Sequence, residues 1–196
     1  MQTTKAQKTR KILLDAAKSV IQMDGLDRLT MDRVARISGM SKGAVMYHFK
    51  TKRSLLAALL EDYARHLASG LAQHEALYQG LVRNTFLPGF IRWFRSFQKD
   101  NHGWAKIGIS LLSLHHQDPE LLVPVRAWYA TIYDRVHAMP ARVRARGLLC
   151  LMALEGFFYT HKFGLDTMPL RDREAVLARL MQKAKEIRQQ IYQNKE

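Results

Sequence analysis

The sequence predicts an all-α protein of about nine helices. Apolar side chains recur every three or four residues along most of the chain, which places them on one face of a helix. Capping residues, glycines and prolines separate these segments, as at Thr30, Gly39 and Pro119. No segment shows the strict alternation of a β-strand. We therefore expect an N-terminal three-helix bundle in residues 1–54 and a larger helical domain in residues 55–196.

The composition restricts the classes of function. The 196 residues include 31 Lys and Arg against 17 Asp and Glu, a net charge of +14. Residues 1–54 hold 12 of the basic residues and only 4 of the acidic ones, so the N-terminal part is the more basic. Such an excess favours a polyanionic partner such as nucleic acid. The single cysteine, Cys150, excludes an intramolecular disulfide, and no cluster of metal ligands or cofactor motif is evident.

Targeting signals are not evident in the sequence. The N-terminus is polar and basic, without the apolar core of a signal peptide. The longest apolar run, residues 147–154, is shorter than the roughly 20 residues that span a bilayer. We expect a cytoplasmic protein without a membrane partner.

Residues 30–55 contain the most specific pattern in the chain. Thr30 is a plausible helix cap, Gly39 permits a tight turn, and Ser41 can cap a second, short helix over about residues 42–47. This order is that of a helix-turn-helix, whose second helix enters the DNA major groove. The predicted DNA contacts are donors or side chains small enough for close approach: Thr30, Arg33, Ser41, Lys42, Gly43, Ala44, Tyr47, His48 and Lys52.

The run from Gly39 to Phe49, GMSKGAVMYHF, followed by Lys52, resembles the signature of the TetR family of bacterial transcriptional regulators. The resemblance implies a homodimer that binds a palindromic operator in double-stranded DNA through its N-terminal domain. It also implies a C-terminal domain that dimerises and binds a small-molecule effector. Lys50 and Arg53 depart from the family pattern, which often has a proline or neutral residue and then an acid. The operator sequence therefore does not transfer from the family.

The other helices are predicted from the spacing of apolar residues and from the prolines and glycines that begin or end a helix. Before the motif, a first helix over about residues 6–23 has one apolar stripe that includes Ile12 and Leu13. A long helix that begins after Thr51 and continues to about residue 76 is expected to link the two domains. The next helix covers residues 80–97, and Pro88 either kinks it or marks its true start. Helix 6 is predicted over residues 104–115, and helix 7 begins at Pro119.

Aromatic faces on helices 5, 6 and 7 lie beside an apolar helix 8 and could enclose a cavity. Ordinary core packing is the alternative, and the family resemblance favours an effector pocket. The predicted lining is Trp93, Phe97, Trp104, Leu111, Trp128, Tyr129, Tyr133, Glu155 and Phe158. Glu155 is the single acid in the apolar part of helix 8, and it faces either a ligand or a structural partner such as tyrosine or arginine. The scarcity of acids favours a neutral or anionic ligand.

Helices 8 and 9, over about residues 142–163 and 171–192, are predicted to form the dimer interface. Helix 8 is apolar nearly all round, so both of its sides should be buried. Helix 9 has a seam of alternating three- and four-residue steps. Pairing of both helices with their copies across a two-fold axis would form a four-helix bundle, and packing of helix 9 within the chain is the alternative. The predicted interface residues are Leu151, Leu177, Leu180, Ala184, Ile187 and Ile191.

The predicted function is that of a sequence-specific regulator, a repressor released from its operator by a small apolar or aromatic ligand. The alternative is a DNA-binding protein without an effector, either a constitutive regulator or a nucleoid-type protein. A metal site at His115 and His116 is disfavoured because neighbours at i and i+1 do not face each other on a helix. No phosphate-binding glycine loop, His-Glu-x-x-His sequence or nucleophile elbow occurs, so we expect no enzymatic activity.

Overall fold

The computed structural model describes residues 4–80, 84–97 and 103–192, with the backbone alone at residue 97. Within these ranges the chain forms nine α-helices and three short 3₁₀ turns, and no strand is present. The all-α prediction is therefore confirmed. The helices are α1 (Lys5–Asp24), α2 (Met31–Ser38), α3 (Lys42–His48), α4 (Lys52–Ala76), α5 (Phe86–Phe97), α6 (Trp104–Leu112), α7 (Val123–His137), α8 (Ala141–Lys162) and α9 (Leu170–Tyr192).

The chain divides into two compact units. The described residues within Met1–Ala64 and His102–Arg126 form the first unit, and those within Arg65–Asn101 and Ala127–Glu196 form the second. The helices α1, α2, α3 and α6 belong to the first unit, and α5, α8 and α9 belong to the second. Helices α4 and α7 have residues in both units.

Helix α1 is fixed at its start by a reciprocal cap. The Thr4 hydroxyl accepts a hydrogen bond from the Gln7 backbone N–H, and the Gln7 side chain accepts one from the Thr4 N–H. The buried stripe of α1 includes Leu13 and Leu14, whereas Ile12 is exposed. The prediction that Ile12 lies on this stripe was wrong. Each residue advances about 100° around the helix, and the buried pair is Leu13 and Leu14, so Ile12 falls at the edge of the stripe. This stripe packs on α2.

Helix α6 completes the first unit by packing against α1 and α4. Trp104 stacks on Tyr63 of α4 with ring centroids 6.0 Å apart. A methyl group at Gly108 would lie 2.7 Å from the Tyr63 Cζ atom, so glycine is what lets the two helices approach. Lys18 of α1 places its ammonium 4.9 Å from the centre of the Trp104 ring and 3.1 Å from the Asp62 carboxylate. Packing and charge together hold α6 in this unit.

Helix α5 does not begin at residue 80, the earlier of its two predicted starts; it begins close to Pro88, the later one. Its first residue is Phe86, so Pro88 lies in the first turn, where a missing N–H breaks no helical hydrogen bond. Gly80 has a φ of +75°, in the left-handed region, and does not belong to the helix. Pro88 therefore marks the helix start and does not kink a longer helix.

Helices α6 and α7 are joined by two 3₁₀ turns. Helix α6 ends at Leu112, and the turn Ser113–His116 follows it. Pro119 opens the second turn, Pro119–Leu122, and α7 begins only at Val123. The predicted start at Pro119 was correct for helical backbone in general but early for the α-helix itself.

Candidate nucleic-acid interface and ligand cluster

The helix-turn-helix has the geometry that its capping residues predict. The Thr30 hydroxyl accepts a hydrogen bond from the Arg33 N–H at 3.2 Å, and the Ser41 hydroxyl accepts one from the Ala44 N–H at 3.1 Å. Gly39 lies in the left-handed region at φ 67°, and the following Met40 N–H donates to the Ala35 carbonyl at 3.0 Å. These local hydrogen bonds fix the turn between α2 and α3.

Helix α3 has one buried face and one open face. Val45 is fully buried, and Phe49, which caps the helix, is buried beneath it. On the opposite side Tyr47 is 78% exposed, and Lys42 and Gly43 are exposed as well. A methyl group at Gly43 would meet only the Ser41 hydroxyl, at 3.8 Å. The open face of α3 therefore offers donors and a small residue at the surface that would meet base edges.

Two of the predicted DNA contacts are paired with acids in the free protein. The Lys42 ammonium lies 3.0 Å from the Asp32 carboxylate, and the Arg33 guanidinium lies 2.7 Å from Asp24. Both acids are within ten residues of their partners, so each pair is local. A phosphate that binds Lys42 or Arg33 must compete with these carboxylates. Lys52 is exposed at the first position of α4.

Arg53 has a partner that the sequence did not reveal. This side chain hydrogen-bonds the Asp118 carboxylate at 2.7 Å, within the first unit. The guanidinium holds the pKa of the Asp118 carboxyl below its ordinary value. The departure of Arg53 from the family pattern was visible in the sequence. Its partner lies 65 residues away, and no sequence pattern connects the two residues.

In the second unit, three of the predicted ligand residues meet in one aromatic cluster. The Trp93 ring of α5 lies 5.2 Å from the Phe158 ring of α8 and 5.8 Å from the Trp128 ring of α7, measured between centroids. Phe90 and Phe94 of α5 extend this cluster on Phe158. We call these five residues the aromatic cluster. Its rings touch one another, so the residues are adjacent as predicted and close-packed.

Glu155 lies beside these helices as the buried acid of α8. It is 8% exposed, and burial raises the pKa of its carboxyl. The Tyr129 hydroxyl donates a hydrogen bond to it at 3.2 Å, so the expected structural partner is a tyrosine. Lys162 is also near: burial lowers the pKa of its amine, while the Glu155 charge acts in the opposite direction. Tyr133 is half-buried, and desolvation is the main cause of its raised pKa.

The other predicted ligand residues lie elsewhere or outside the description. Trp104 and Leu111 belong to α6 in the first unit, where Trp104 stacks on Tyr63 and Leu111 is fully buried. The side chain of Phe97 lies outside the described residues. Trp104 and Leu111 were predicted to line the same cavity because helix 6 has aromatic and apolar residues at the same helical spacing as helices 5 and 7. That spacing does not say which helix they will pack against.

The predicted dimer seam of α9 is used within the single chain. Leu177, Ala184 and Ile187 are almost completely buried, and Leu180 is 9% exposed. Helix α9 packs on α8 and α5, and Leu151 of α8 is fully buried too. Only Ile191 is half-exposed. Intramolecular packing, the alternative considered for helix 9, accounts for most of these residues.

One side of α8 is open in the single chain, and the prediction that both of its sides are buried includes a second copy of the chain, so it stays a prediction. Leu149 is 69% exposed and Phe163 is 61% exposed, with Met152 and Tyr159 exposed between them. Gly156 lies on the same side, with open space around it. Steps of three and four residues separate these positions, so they form one stripe on the helix. We call Leu149, Met152, Gly156, Tyr159 and Phe163 the α8 stripe.

Two features are absent from residues 4–80, 84–97 and 103–192. No helix there is both long enough and apolar enough to cross a membrane. No group of three or more His, Cys, Asp or Glu side chains is placed to hold a metal ion within those same ranges.

A helical fold with a capped helix-turn-helix and an open recognition helix defines a DNA-binding transcriptional regulator. Two family models identify the family of this regulator. Residues 13–59 match the model for bacterial regulatory proteins of the tetR family. Residues 84–185 match the tetracyclin repressor-like C-terminal domain. The chain belongs to the TetR family.

The curated relatives are similar to only part of this chain. The HTH-type transcriptional regulator TtgR of Pseudomonas putida is 35% identical over 89 residues, which cover 43% of this chain and 42% of TtgR. The HTH-type transcriptional repressor Rv1474c of Mycobacterium tuberculosis is 30% identical over 108 residues, covering 50% of this chain and 57% of the repressor. Each match spans less than two thirds of the relative.

Solved structures share the fold over most of the chain. A transcriptional regulator from Streptomyces coelicolor A3(2) has a TM-score of 0.68 at 16% identity, covering 89% of this chain and 98% of that one. The multidrug binding protein EbrR complexed with malachite green has a TM-score of 0.67 at 22% identity, covering 87% and 96%. At these identities the likeness shows the fold alone.

Proposed function

We propose that two copies of this chain bind a palindromic operator in the cytoplasm as a repressor and that a small apolar or aromatic molecule releases them. The observation that supports DNA reading most directly is the open face of α3, where the exposed Gly43 and Tyr47 lie one turn apart on the side opposite the buried Val45. Two such helices on successive turns of DNA would read the two half-sites. The curated repressor Rv1474c, similar over half of this chain, supports the sign of regulation.

The DNA proposal is tested with fragments of genomic DNA selected by the protein. Binding of the tightest fragment and of random DNA is then compared at several salt concentrations. Lys52→Gln should weaken binding to both and flatten the salt dependence by about one unit of slope, as expected for a lost phosphate contact. Tyr47→Ala should change the preference at one or two positions. Lys185→Gln, which removes an exposed charge on α9, is the matched control.

Equal binding of selected and random DNA at moderate salt would contradict the regulator and favour the nucleoid-type alternative.

The dimer in this proposal forms through the α8 stripe. Large apolar side chains that line one side of a helix in steps of three and four are typical of a helix-packing surface. Pairing of α8 with its copy would bury Leu149, Met152, Tyr159 and Phe163 and let the helices approach closely at Gly156. The α9 residues would then support the interface from within the chain. A charge at Leu180 or Ile187 cannot test the dimer, because it would disrupt packing inside the single chain.

The dimer is tested by sedimentation of Leu149→Glu at micromolar concentration. This variant should sediment as a monomer and lose most of its operator affinity, since one half-site supplies only half of the contacts. Leu165→Glu is the control, because Leu165 is 62% exposed and lies outside the stripe. A wild-type monomer, or a Leu149→Glu dimer as stable as wild type, would overturn the assignment.

The effector in this proposal binds at the aromatic cluster beside Glu155. The rings of Trp93, Trp128 and Phe158 are large, flat and adjacent, which suits an apolar or aromatic molecule. Because the rings touch, entry requires them to separate, and the ligand must stabilise that opened arrangement. EbrR, titled a multidrug binding protein with malachite green bound, shows that a protein with this fold holds an aromatic compound.

The effector is tested by tryptophan fluorescence and by coupling to DNA. A compound that changes the emission should bind more weakly when operator is present, by the same factor by which it weakens operator binding. A coupling of about 1–3 kcal/mol corresponds to roughly 5–150-fold. If a compound changes the fluorescence yet binds equally with and without operator, the site exists without the switch. The protein would then fit the alternative of a regulator without an effector.

A further inference from the structure

A groove of about 410 Å³ opens on the surface of the second unit and includes none of the predicted ligand residues. It is lined by His74 of α4 and Tyr78 of the turn after it, by Arg92 and Arg95 of α5, and by Met181 of α9, among others. We propose that this groove binds an amphipathic organic anion, a carboxylate, sulfonate or phosphate ester attached to an apolar or aromatic body. The inference does not depend on the DNA-binding function.

The charge of the groove favours an anion. Arg92 and Arg95 follow one another at i and i+3, so they lie on the same side of α5. Glu174 of α9 lies 2.8 Å from Arg95, and it is the only acid paired with either arginine in the described part of the chain. Glu75, the nearest acid on α4, pairs with Arg135 at 2.8 Å instead. Two guanidinium groups against one carboxylate leave the groove net positive.

Arg95 has an unused donor. Its Nη2 atom serves Glu174, but its Nε atom is buried and has no hydrogen-bond partner among the described residues. That Nε atom is shut off from solvent, whereas the Arg95 side chain as a whole is 41% exposed, so a ligand in the groove would meet the exposed part of this side chain. Other arginines share an unpartnered Nε but do not line this groove: Arg33, Arg144 and Arg173.

The other wall of the groove is apolar. Leu77 is 53% exposed, and Met181 of α9 is half-buried facing the same space. A leucine exposed beside two arginines leaves apolar surface in water, and a ligand that covers this surface gains affinity from the hydrophobic effect. The volume lies within the roughly 300–1,000 Å³ of small-molecule sites. A ligand with both an anionic end and an apolar body would satisfy both walls.

The groove has a defined shape because its walls are anchored. The His74 ring donates from Nδ1 to the Gly70 carbonyl at 2.7 Å, since a carbonyl can only accept. The Ser96 hydroxyl donates to the Trp93 carbonyl at 2.8 Å. Helices α4 and α5 also lie close together at Gly89, where a methyl group would be 2.5 Å from the Glu75 Cγ atom. The two hydrogen bonds fix each side chain on its own helix, and the close approach at Gly89 brings α4 and α5 together, so little ordering is needed on binding.

The test uses two fluorescent probes with the same apolar body. Anilinonaphthalene sulfonate has the anionic group, and N-phenylnaphthylamine lacks it. Wild-type protein should bind the sulfonate at one site per chain and the neutral dye more weakly. Arg92→Gln with Arg95→Gln should weaken sulfonate binding about tenfold or more, the size expected for lost charge-assisted hydrogen bonds, and should leave the neutral dye unchanged. Lys185→Gln, with the loss of one exposed charge on α9, should bind both dyes as wild type does.

Several outcomes would overturn the proposal. One is equal affinity of wild-type protein for the two dyes, which would indicate an apolar patch without anion recognition. Another is unchanged sulfonate binding in the arginine variant, which would place the dye elsewhere. Arg92→Gln alone serves if the double variant fails to fold, because Arg92 is exposed. It should still weaken sulfonate binding several-fold, and an unchanged affinity would count against the groove.

Discussion

The helix-turn-helix and the aromatic cluster are both built from helices, yet their geometry is determined over different distances along the chain. Around α2 and α3, each cap and turn is fixed by partners three to five residues apart, as in Thr30 with Arg33 and Met40 with Ala35. In the aromatic cluster, Trp93 meets Phe158 from a helix 65 residues further on. Local chemistry specifies the first region, and long-range packing specifies the second. The two regions should therefore respond differently to single substitutions.

The largest effect is expected from Phe94→Ala in the second region. Phe94 is fully buried, with ring centroids 4.9 Å from Phe158 and 5.6 Å from Phe157. Truncation leaves a cavity and should lower the free energy of unfolding by about 3–5 kcal/mol, measured by urea denaturation. Leu165→Ala, at a side chain that is 62% exposed and lies outside the α8 stripe, is the control and should change it by less than about 1 kcal/mol. A small loss for Phe94→Ala would mean that the aromatic core is looser than its ring contacts indicate.

Gly108→Ala should have the next largest effect. Helix propensity alone predicts that alanine stabilises α6 by about 1 kcal/mol. The new methyl would lie 2.7 Å from Tyr63 Cζ, and Tyr63 is fully buried. Overpacking of this kind costs about 1–3 kcal/mol, so we expect a net loss of stability in thermal or urea unfolding. A gain would show that Tyr63 can move away, and that long-range packing is weaker here than local propensity.

Glu155→Gln should change how the free energy of unfolding depends on pH. Burial raises the pKa of Glu155 above its ordinary value of 4.5, opposed by Lys162 and by the Tyr129 hydroxyl. The folded protein therefore takes up this proton at a higher pH than the unfolded chain does. Wild type should gain stability relative to Glu155→Gln as the pH falls through the folded pKa, and the gain should level off below 4.5.

That difference is measured by urea unfolding of both proteins from about pH 7 to about pH 4. A difference that stays constant over this range would show that Glu155 titrates alike in the folded and unfolded chains.

The smallest effect on stability is expected from Gly43→Ala in the recognition helix. No close neighbour obstructs a methyl group there, and Gly43 has no left-handed φ. Alanine should stabilise the protein by about 0.5–1 kcal/mol. Operator affinity should nevertheless fall, because the methyl projects from the open face of α3. Stability and operator affinity that rise together would remove Gly43 from the DNA interface. The same substitution thus has opposite expected signs at Gly43 and Gly108.

The predictions that are confirmed depend on local interactions. The helix-turn-helix, its caps and the all-α class are confirmed, because capping and periodicity act within a few residues. A tyrosine was also expected as a possible partner of Glu155, and Tyr129 is that partner. Which aromatic residues share one core does not follow from the sequence. Trp104 packs in the first unit, where its ring stacks on Tyr63 and lies under the Lys18 ammonium. Both partners are more than 40 positions away in the sequence.

The surface of the helices was harder still to predict. An apolar residue such as Leu149 gives the same sequence signal whether a neighbouring helix covers it or not. Only the packing of α9 on α8 shows that the seam through Leu177 is occupied and that the α8 stripe is open. The groove beside Arg92 was missed for a related reason. Its walls come from three helices, and no short pattern contains them.

Two acids beside the helix-turn-helix have a consequence for the search of a chromosome if Lys42 and Arg33 contact phosphates, as we propose. Asp32 and Asp24 already pair with these two side chains, so their carboxylates take the place of phosphate oxygens when no DNA is bound. Random DNA would then offer Lys42 and Arg33 only an exchange of one anion for another. A genome presents about a million or more such competing sites. Internal anions of this kind would shorten the time that a strongly basic protein spends at those sites and would leave the base edges to decide where it stays.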